Sequence, residues 1–210
     1  MDEVIEQWFA RRTWQEPPWS IPELVAAKRG RRVSVVLPAL DEEETVGAIV
    51  AAIVPLTEGP TPLVDELVVM DSGSTDHTIE VAAAAGARVV RRSDVVADLA
   101  PLPGKGEVLW RALAATTGDV LCYLDSDLVD FDPAFVPALL GPLLVEDGVH
   151  LVKGFYRRPL RMETSEVDTG GGRVTELLVR PLLAALRPEL ARIAVFNSAA
   201  SRRSRGTNTR

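Results

Sequence analysis

Between Val33 and Asp125 the chain alternates short, nearly continuous apolar runs with segments of helical periodicity, and this alternation limits the possible folds more than any other feature. Strands are predicted at 33–37, 66–70, 87–90 and 119–125, and helices at 41–54, 77–86 and 107–118. Apolar strands that alternate with helices are typical of a parallel sheet covered on both faces. The predicted class is therefore α/β, with a Rossmann-like, mainly parallel sheet flanked by helices.

Segments of different character flank this alternating core. Residues 1–30 contain three of the four tryptophans, and Ile5, Trp8 and Phe9 fit one helical face, which indicates an N-terminal docking segment. The last seventeen residues contain arginine, serine and asparagine but no acid, which is typical of a disordered tail. The predicted organisation is a docking segment at 1–30, a core at 31–160, a further segment at 161–193 with a helix starting near Arg173, and a tail at 194–210.

Composition excludes several classes of protein. The 210 residues carry a net charge of -7, which argues against nonspecific nucleic-acid binding. The single cysteine, Cys122, cannot form an internal disulfide and lies in an apolar strand, so we interpret it as a buried thiol. The sequence contains neither a secretory signal nor an apolar run of membrane-spanning length. A cytoplasmic location is the expectation.

Small and charged residues follow each predicted strand. These stretches are Pro38-Ala39-Leu40-Asp41-Glu42, then Asp71-Ser72-Gly73, then Pro103-Gly104-Lys105-Gly106 after a loop, and finally Asp125-Ser126-Asp127. Because ligands bind at the carboxyl ends of the strands in an open parallel sheet, these stretches are predicted to form one site.

Several of these stretches also have an ordinary structural interpretation. Asp41 with Glu44 fits an N-cap and third-position pair, and the run from Asp71 to Asp76 fits a turn with a helix cap. Lys105 between two glycines also fits a solvated loop. Neither a Walker loop nor a G-x-G-x-x-G turn is present, which weakens a nicotinamide-binding hypothesis.

The Asp125-Ser126-Asp127 stretch is harder to explain structurally, because a turn accounts for one aspartate but not for two at the end of a buried strand. Magnesium is typically held by one or two carboxylates while substrate phosphates complete its coordination. We therefore expect Mg²⁺, with Mn²⁺ as the alternative, to bridge these carboxylates to a diphosphate. Lys105 is expected to add a second positive contact.

Together, VSVVLPALDEEETV, VVMDSGSTDHT, PGKGEVLWRAL and YLDSDLVDFDP resemble nucleotide-sugar glycosyltransferases of the GT-A type. With VKGFYRRP and GGGRVTEL, the chain most resembles the glucosyl-3-phosphoglycerate synthases of actinobacteria, over residues 1–193. The resemblance implies transfer of glucose from UDP-glucose to 3-phosphoglycerate with retention of anomeric configuration, towards methylglucose lipopolysaccharide. It also implies a homodimer.

The resemblance assigns roles to individual residues. It implies uridine and ribose contacts for Pro38, Ala39, Leu40 and Glu42, a further uridine contact for Ser72, and a nucleotide contact for Lys105. Asp125 and Ser126 are implied to contact the sugar nucleotide, and Asp127 to bind the metal. Asp127 and Lys105 are the expected catalytic residues.

The acceptor site is predicted where three glycines precede a helix. Glycines allow backbone N–H groups to approach an anion, and a helix start adds positive potential. Arg173 is suited to bidentate binding of a phosphate or carboxylate, and Thr175 adds a hydroxyl. From the residues alone, a flexible loop with a capped helix is the alternative; the resemblance favours acceptor binding by Gly172, Arg173 and Thr175.

The chain departs from the family pattern near its end. Relatives continue well beyond Ile193 and supply a histidine metal ligand there, whereas His77 and His150 are placed for ordinary structural roles. The change in composition at Ala194 leads us to expect a truncation or an out-of-frame ending. Two alternatives to the implied activity therefore stay open: an inactive nucleotide-sugar-binding module, and a transferase using another acceptor such as polyprenyl phosphate.

Overall fold

The computed structural model describes residues 3–14, 18–154, 160–162, 165–167 and 199–202. The chain divides into two compact units. One comprises Pro17–Val152 and Asn197–Arg210, and contains nearly all of the larger sheet. The other comprises Met1–Glu16 and Lys153–Phe196.

The described residues form six α-helices and eight strands. The helices are α1 (Glu3–Arg11), α2 (Ile21–Ala27), α3 (Val46–Ile53), α4 (Thr78–Ala84), α5 (Lys105–Ala115) and α6 (Phe135–Val145). The strands are β1 (Val33–Ala39), β2 (Glu66–Asp71), β3 (Arg88–Arg91), β4 (Val120–Tyr123), β5 (Leu151–Lys153), β6 (Leu160–Met162), β7 (Ser165–Val167) and β8 (Ala199–Arg202). Short 3₁₀ turns cover Val54–Thr57 and Arg92–Asp94.

The larger sheet has the order β3-β2-β1-β4-β8-β5, and its first four strands are parallel. This confirms the predicted α/β class. The chain progresses outward from β1 to β2 and β3, and then returns to place β4 on the other side of β1. The strand order therefore reverses between β1 and β4, and the crevice outside such a reversal is where open α/β sheets bind ligands.

The core explains why the apolar runs form buried strands. Val36, Val68 and Met70 of the sheet pack against Val108 and Ala112 of α5. Cys122 in β4 is fully buried, as predicted, and burial raises the pKa of its thiol to about 12. A thiol in this environment stays protonated and behaves as a small apolar side chain.

Two predictions were wrong, one about the start of a helix and one about the C-terminal tail. α3 begins at Val46 rather than at 41, with Thr45 as its N-cap residue, so Asp41 and Glu44 do not form the helix cap that their spacing allows. Residues 199–202, within the predicted disordered tail, form β8 antiparallel to β4. Strand pairing uses backbone groups, so a polar, aperiodic segment can pair where β4 has an open side.

The start of the larger unit is anchored to its core. Ser20 caps α2 in a capping box with Glu23, and Leu24 is fully buried. The Trp19 ring lies against Gly141 of α6, where any β-carbon would collide with it. In the other unit, α1 forms where helical spacing predicts it, and β6 and β7 pair antiparallel.

None of the helices in the described part of the chain is long and apolar enough to cross a membrane. The helix predicted near Arg173 lies outside the described residues.

Candidate active site at the carboxyl ends of the strands

A cavity of about 250 Å³ opens at the carboxyl edge of the sheet. Nine residues singled out from the sequence line it, and they come from three strand ends and from the start of α5: Pro38, Ala39, Leu40, Glu42, Ser72, Lys105, Asp125, Ser126 and Asp127. Parallel pairing of β1 with both β2 and β4 brings these distant segments to one edge. The prediction that they lie together is confirmed, while their individual roles stay predictions.

Two loops at this edge are joined by reciprocal hydrogen bonds. Asp41 accepts from the Thr75 backbone N–H at 2.7 Å and donates its own N–H to Ser74 Oγ at 3.0 Å. The Glu42 N–H donates to the buried Thr78 hydroxyl at 2.8 Å. Asp41 has a φ of 56°, a left-handed conformation that aspartate tolerates. The acidic run therefore fixes the loop that carries Glu42 to the loop that follows β2.

The Asp-Ser-Asp stretch is held in place by its middle residue. Ser126 Oγ donates to the Pro38 carbonyl at 2.6 Å, and the Ser126 carbonyl accepts from Thr45 Oγ1 at 2.6 Å. These bonds attach the end of β4 to the end of β1 and to the start of α3. The two aspartates on either side are thereby held in fixed, different environments.

The negative charges of Asp125 and Asp127 are accommodated in different ways. Asp125 is buried, with 5% exposure, and forms an ion pair with Lys105 Nζ. Asp127 is exposed and faces the cavity. The cation that offsets the first carboxylate is therefore a lysine of the chain itself, which leaves Asp127 available to a ligand.

Glu42 is the second carboxylate that lines the cavity without an ion-pair partner in the described part of the chain. Burial raises its pKa, and the nearby negative charge of Asp127 raises it further. A divalent cation between these side chains would remove that repulsion. Among the described residues, no group of three or more His, Cys, Asp or Glu side chains forms a complete metal site. The residues thus fit an ion that takes one or two carboxylates and completes its coordination with phosphate oxygens.

The first turn of α5 also faces the cavity. Gly104 precedes the helix with a φ of 116°, a conformation that favours glycine, and this N-cap residue has no side chain with which to cap the helix start. Gly104 and Lys105 both line the cavity. An uncapped helix start offers backbone N–H groups and positive potential to an anion.

Sequence reasoning missed two residues that line the cavity, Arg92 and Val108, and also missed Thr45, which donates to the Ser126 carbonyl. Arg92 could have been found from its position, because it directly follows β3. Leu40 and Ser72 likewise follow their strands directly, and Asp125 lies one residue further beyond its strand. Thr45 had no such signal, since its partner Ser126 lies 81 positions away.

The remaining predicted residues lie elsewhere. His77 is the exposed N-cap residue of α4, and His150 immediately precedes β5, so each has the structural position expected of it. Gly172, Arg173 and Thr175 lie outside the described residues.

A parallel sheet with an acidic cavity at the reversal of its strand order is the architecture of a GT-A glycosyltransferase domain. The chain belongs to glycosyl transferase family 2, whose family model matches residues 34–164. Among curated proteins, it is 63% identical to a glucosyl-3-phosphoglycerate synthase of Mycolicibacterium smegmatis, over 88% of this chain and 60% of that protein. It is 40% identical to the synthase of Petrotoga mobilis, over 83% of this chain and 54% of that protein.

Solved structures show similarity to the same group of synthases. The crystal structure of glucosyl-3-phosphoglycerate synthase from Mycobacterium tuberculosis with Mn²⁺, UDP-glucose and phosphoglyceric acid is similar with a TM-score of 0.80 and 53% identity, over 90% of this chain and 63% of that one. A second complex of that enzyme holds Mn²⁺, UDP and glucosyl-3-phosphoglycerate, with a TM-score of 0.79. The chain thus spans about 60% of the length of these relatives.

Proposed function

We propose that this chain carries the donor half of a glucosyl-3-phosphoglycerate synthase, which transfers glucose from UDP-glucose to the 2-hydroxyl of 3-phosphoglycerate with retention at the anomeric carbon. The observation that carries the proposal is the cavity at the carboxyl edge, lined by all eight residues expected to contact the sugar nucleotide and by Asp127, the expected metal ligand. The complexes of the Mycobacterium tuberculosis enzyme with UDP-glucose and phosphoglyceric acid support the choice of substrates.

In this proposal the nucleoside lies against the end of β1 and the loop after β2. Pro38, Ala39 and Leu40 provide the wall for uridine, and Ser72 provides a further contact. Glu42 accepts hydrogen bonds from the ribose hydroxyls. The hydrogen bonds between the two loops hold Glu42 and Ser72 at a fixed separation, which reduces the entropy lost when the donor binds.

The diphosphate lies between Asp127 and the start of α5. A divalent ion, Mg²⁺ or Mn²⁺, bound by Asp127 and the donor phosphates would neutralise the negative charge that develops on the departing UDP. Lys105 orients Asp125 through their ion pair, and its half-exposed side chain remains close to the leaving group. The N–H groups of the first turn of α5 add fixed positive potential on the same side.

The acceptor is assigned to Gly172, Arg173 and Thr175 on the strength of their sequence pattern. Arg173 would bind the phosphate or carboxylate of 3-phosphoglycerate with two parallel hydrogen bonds, and Thr175 would add a third contact. Holding the 2-hydroxyl beside the anomeric carbon converts a two-substrate encounter into a local step.

The test compares two aspartates that receive the same substitution. Transfer from UDP-glucose to 3-phosphoglycerate is measured with Mn²⁺ or Mg²⁺ in the unmodified chain, in Asp127→Asn and in Asp130→Asn. Asp127→Asn should lower the rate by about 100-fold or more, the scale of losing one electrostatic contact to a transition state. Asp130 is exposed and lies outside the cavity lining, so its variant should retain the rate within about twofold.

Calorimetry with UDP separates the outcomes. If the unmodified chain binds UDP in the presence of Mn²⁺ but forms no product, it is a nucleotide-sugar-binding module and the proposed activity is wrong. If it binds no UDP, the assignment of the cavity is wrong as well. NMR of the product reports whether the anomeric configuration is retained. Size-exclusion chromatography and cell fractionation test the homodimer and the cytoplasmic location, which stay predictions.

A further inference from the structure

Arg92 lies at the junction of two cavities. It lines the cavity of about 250 Å³ and also a neighbouring one of about 400 Å³, and Ser72 is the other residue common to both. Arg92 directly follows β3, so it lies at the same carboxyl edge as the other residues of the candidate site. We infer that the Arg92 guanidinium binds the diphosphate of the donor. This inference rests on the proposed function and adds a residue that the resemblance does not assign.

The charges around the cavity support this inference. Three carboxylates line it, from Glu42, Asp125 and Asp127, against two cationic side chains, Lys105 and Arg92. Lys105 is already paired with Asp125. Arg92 makes no ion pair within 4 Å among residues 18–154, so it is the cationic side chain of the lining that remains available. The charges of Glu42 and Asp127 together already balance the two positive charges of one divalent metal ion. A diphosphate that binds beside these two carboxylates therefore needs further positive charge.

Arg92 is also held in place before any ligand arrives. Its Nη1 donates to the Leu102 carbonyl at 3.3 Å, and its own carbonyl accepts from Nη1 of the buried Arg111 at 3.3 Å. Arg111 fixes the backbone that carries Arg92, while most of the five N–H donors of the Arg92 guanidinium make no hydrogen bond within the described residues. A planar, fixed guanidinium with free donors is well suited to two oxygens of a diphosphate.

Calorimetry of the whole chain with Mn²⁺ tests the inference, with UDP and uridine as the two probes. Arg92→Gln removes the charge and retains a polar amide, while Arg92→Lys retains the charge. Arg92→Gln should weaken UDP binding by about tenfold or more and change uridine binding by less than about twofold, since uridine has no phosphate. Arg92→Lys should recover only part of the affinity for UDP, because it retains the charge but not the two parallel donors.

Arg91→Gln is the matched control, because Arg91 is the neighbouring exposed arginine and does not line the smaller cavity. It should change the affinity for UDP by less than about twofold. Unchanged UDP binding in Arg92→Gln would overturn the inference. So would an equal loss for UDP and uridine, which would place Arg92 on the nucleoside, or an equal loss in the Arg91 control, which would indicate a general effect of charge. Failure of the unmodified chain to bind UDP would instead overturn the proposed function, from which this inference starts.

Discussion

Arg111 is the residue whose replacement we expect to change stability most. It has 1% exposure, lies in the middle of α5, and donates to the carboxylate of Glu107 and to the carbonyls of Arg92, Val95, Val96 and Leu99. Arg111→Met retains much of the aliphatic volume and removes every one of these donors. It would leave the loop after β3 with unsatisfied carbonyls and Glu107 without its cation.

The magnitude follows from these contacts. Removing one partner of a buried, hydrogen-bonded charge pair costs about 3–5 kcal/mol. In a chain of this length each kcal/mol lowers the melting temperature by about 2–4 °C, so Arg111→Met should lower it by about 10 °C. Because Arg111 holds the backbone of Arg92, the variant should also bind UDP more weakly at temperatures where it remains folded.

Urea unfolding followed by circular dichroism measures the free energy directly. Arg88→Met is the matched control: its side chain is 49% exposed, with one hydrogen bond to Ala115 and an ion pair to Glu66 at 3.8 Å. That change should cost less than about 1 kcal/mol. In a Glu107→Gln background, Arg111→Met should cost less than in the unmodified chain, because no charge is stranded. Equal costs for Arg111→Met and Arg88→Met would refute this account of the cluster.

Two further predictions concern the cavity. Thr45→Val removes the hydroxyl that donates to the Ser126 carbonyl, so it should cost about 1 kcal/mol of stability and weaken UDP binding several-fold. Thr45→Ser retains a hydroxyl and should restore both stability and binding. Equal UDP binding by the two variants in calorimetry would contradict this role of the hydroxyl. Glu42→Gln should raise the melting temperature at pH 7 yet weaken UDP binding. Since the folded state raises the pKa of Glu42 above its ordinary 4.5, the charged form is penalised at neutral pH, and the gain should vanish as the pH falls below 4.5. A gain that persists in acid would contradict the electrostatic cause.

Much of the fold could be predicted because it depends on local periodicity. Every strand predicted between Val33 and Asp125 forms, as do the helices, with differences at their ends. Parallel strands that alternate with helices place their carboxyl ends at one edge, so the nine residues could be grouped before their contacts were known. The error at α3 has a physical cause, since the Asp41 side chain bonds to the loop after β2 instead of capping the helix.

The sequence by itself therefore determined the class of the sheet, the edge at which the candidate site lies, and the residue types available there. The tertiary structure decided which aspartate is neutralised by Lys105 and which faces the cavity, and it brought Arg92, Arg111 and Thr45 into the arrangement. The reason is that helix and strand periods are set by neighbours a few residues apart, whereas these contacts join side chains and loops 19 to 81 positions apart. Such partners meet only after the sheet and its loops have assembled, and spacing along the chain does not encode them.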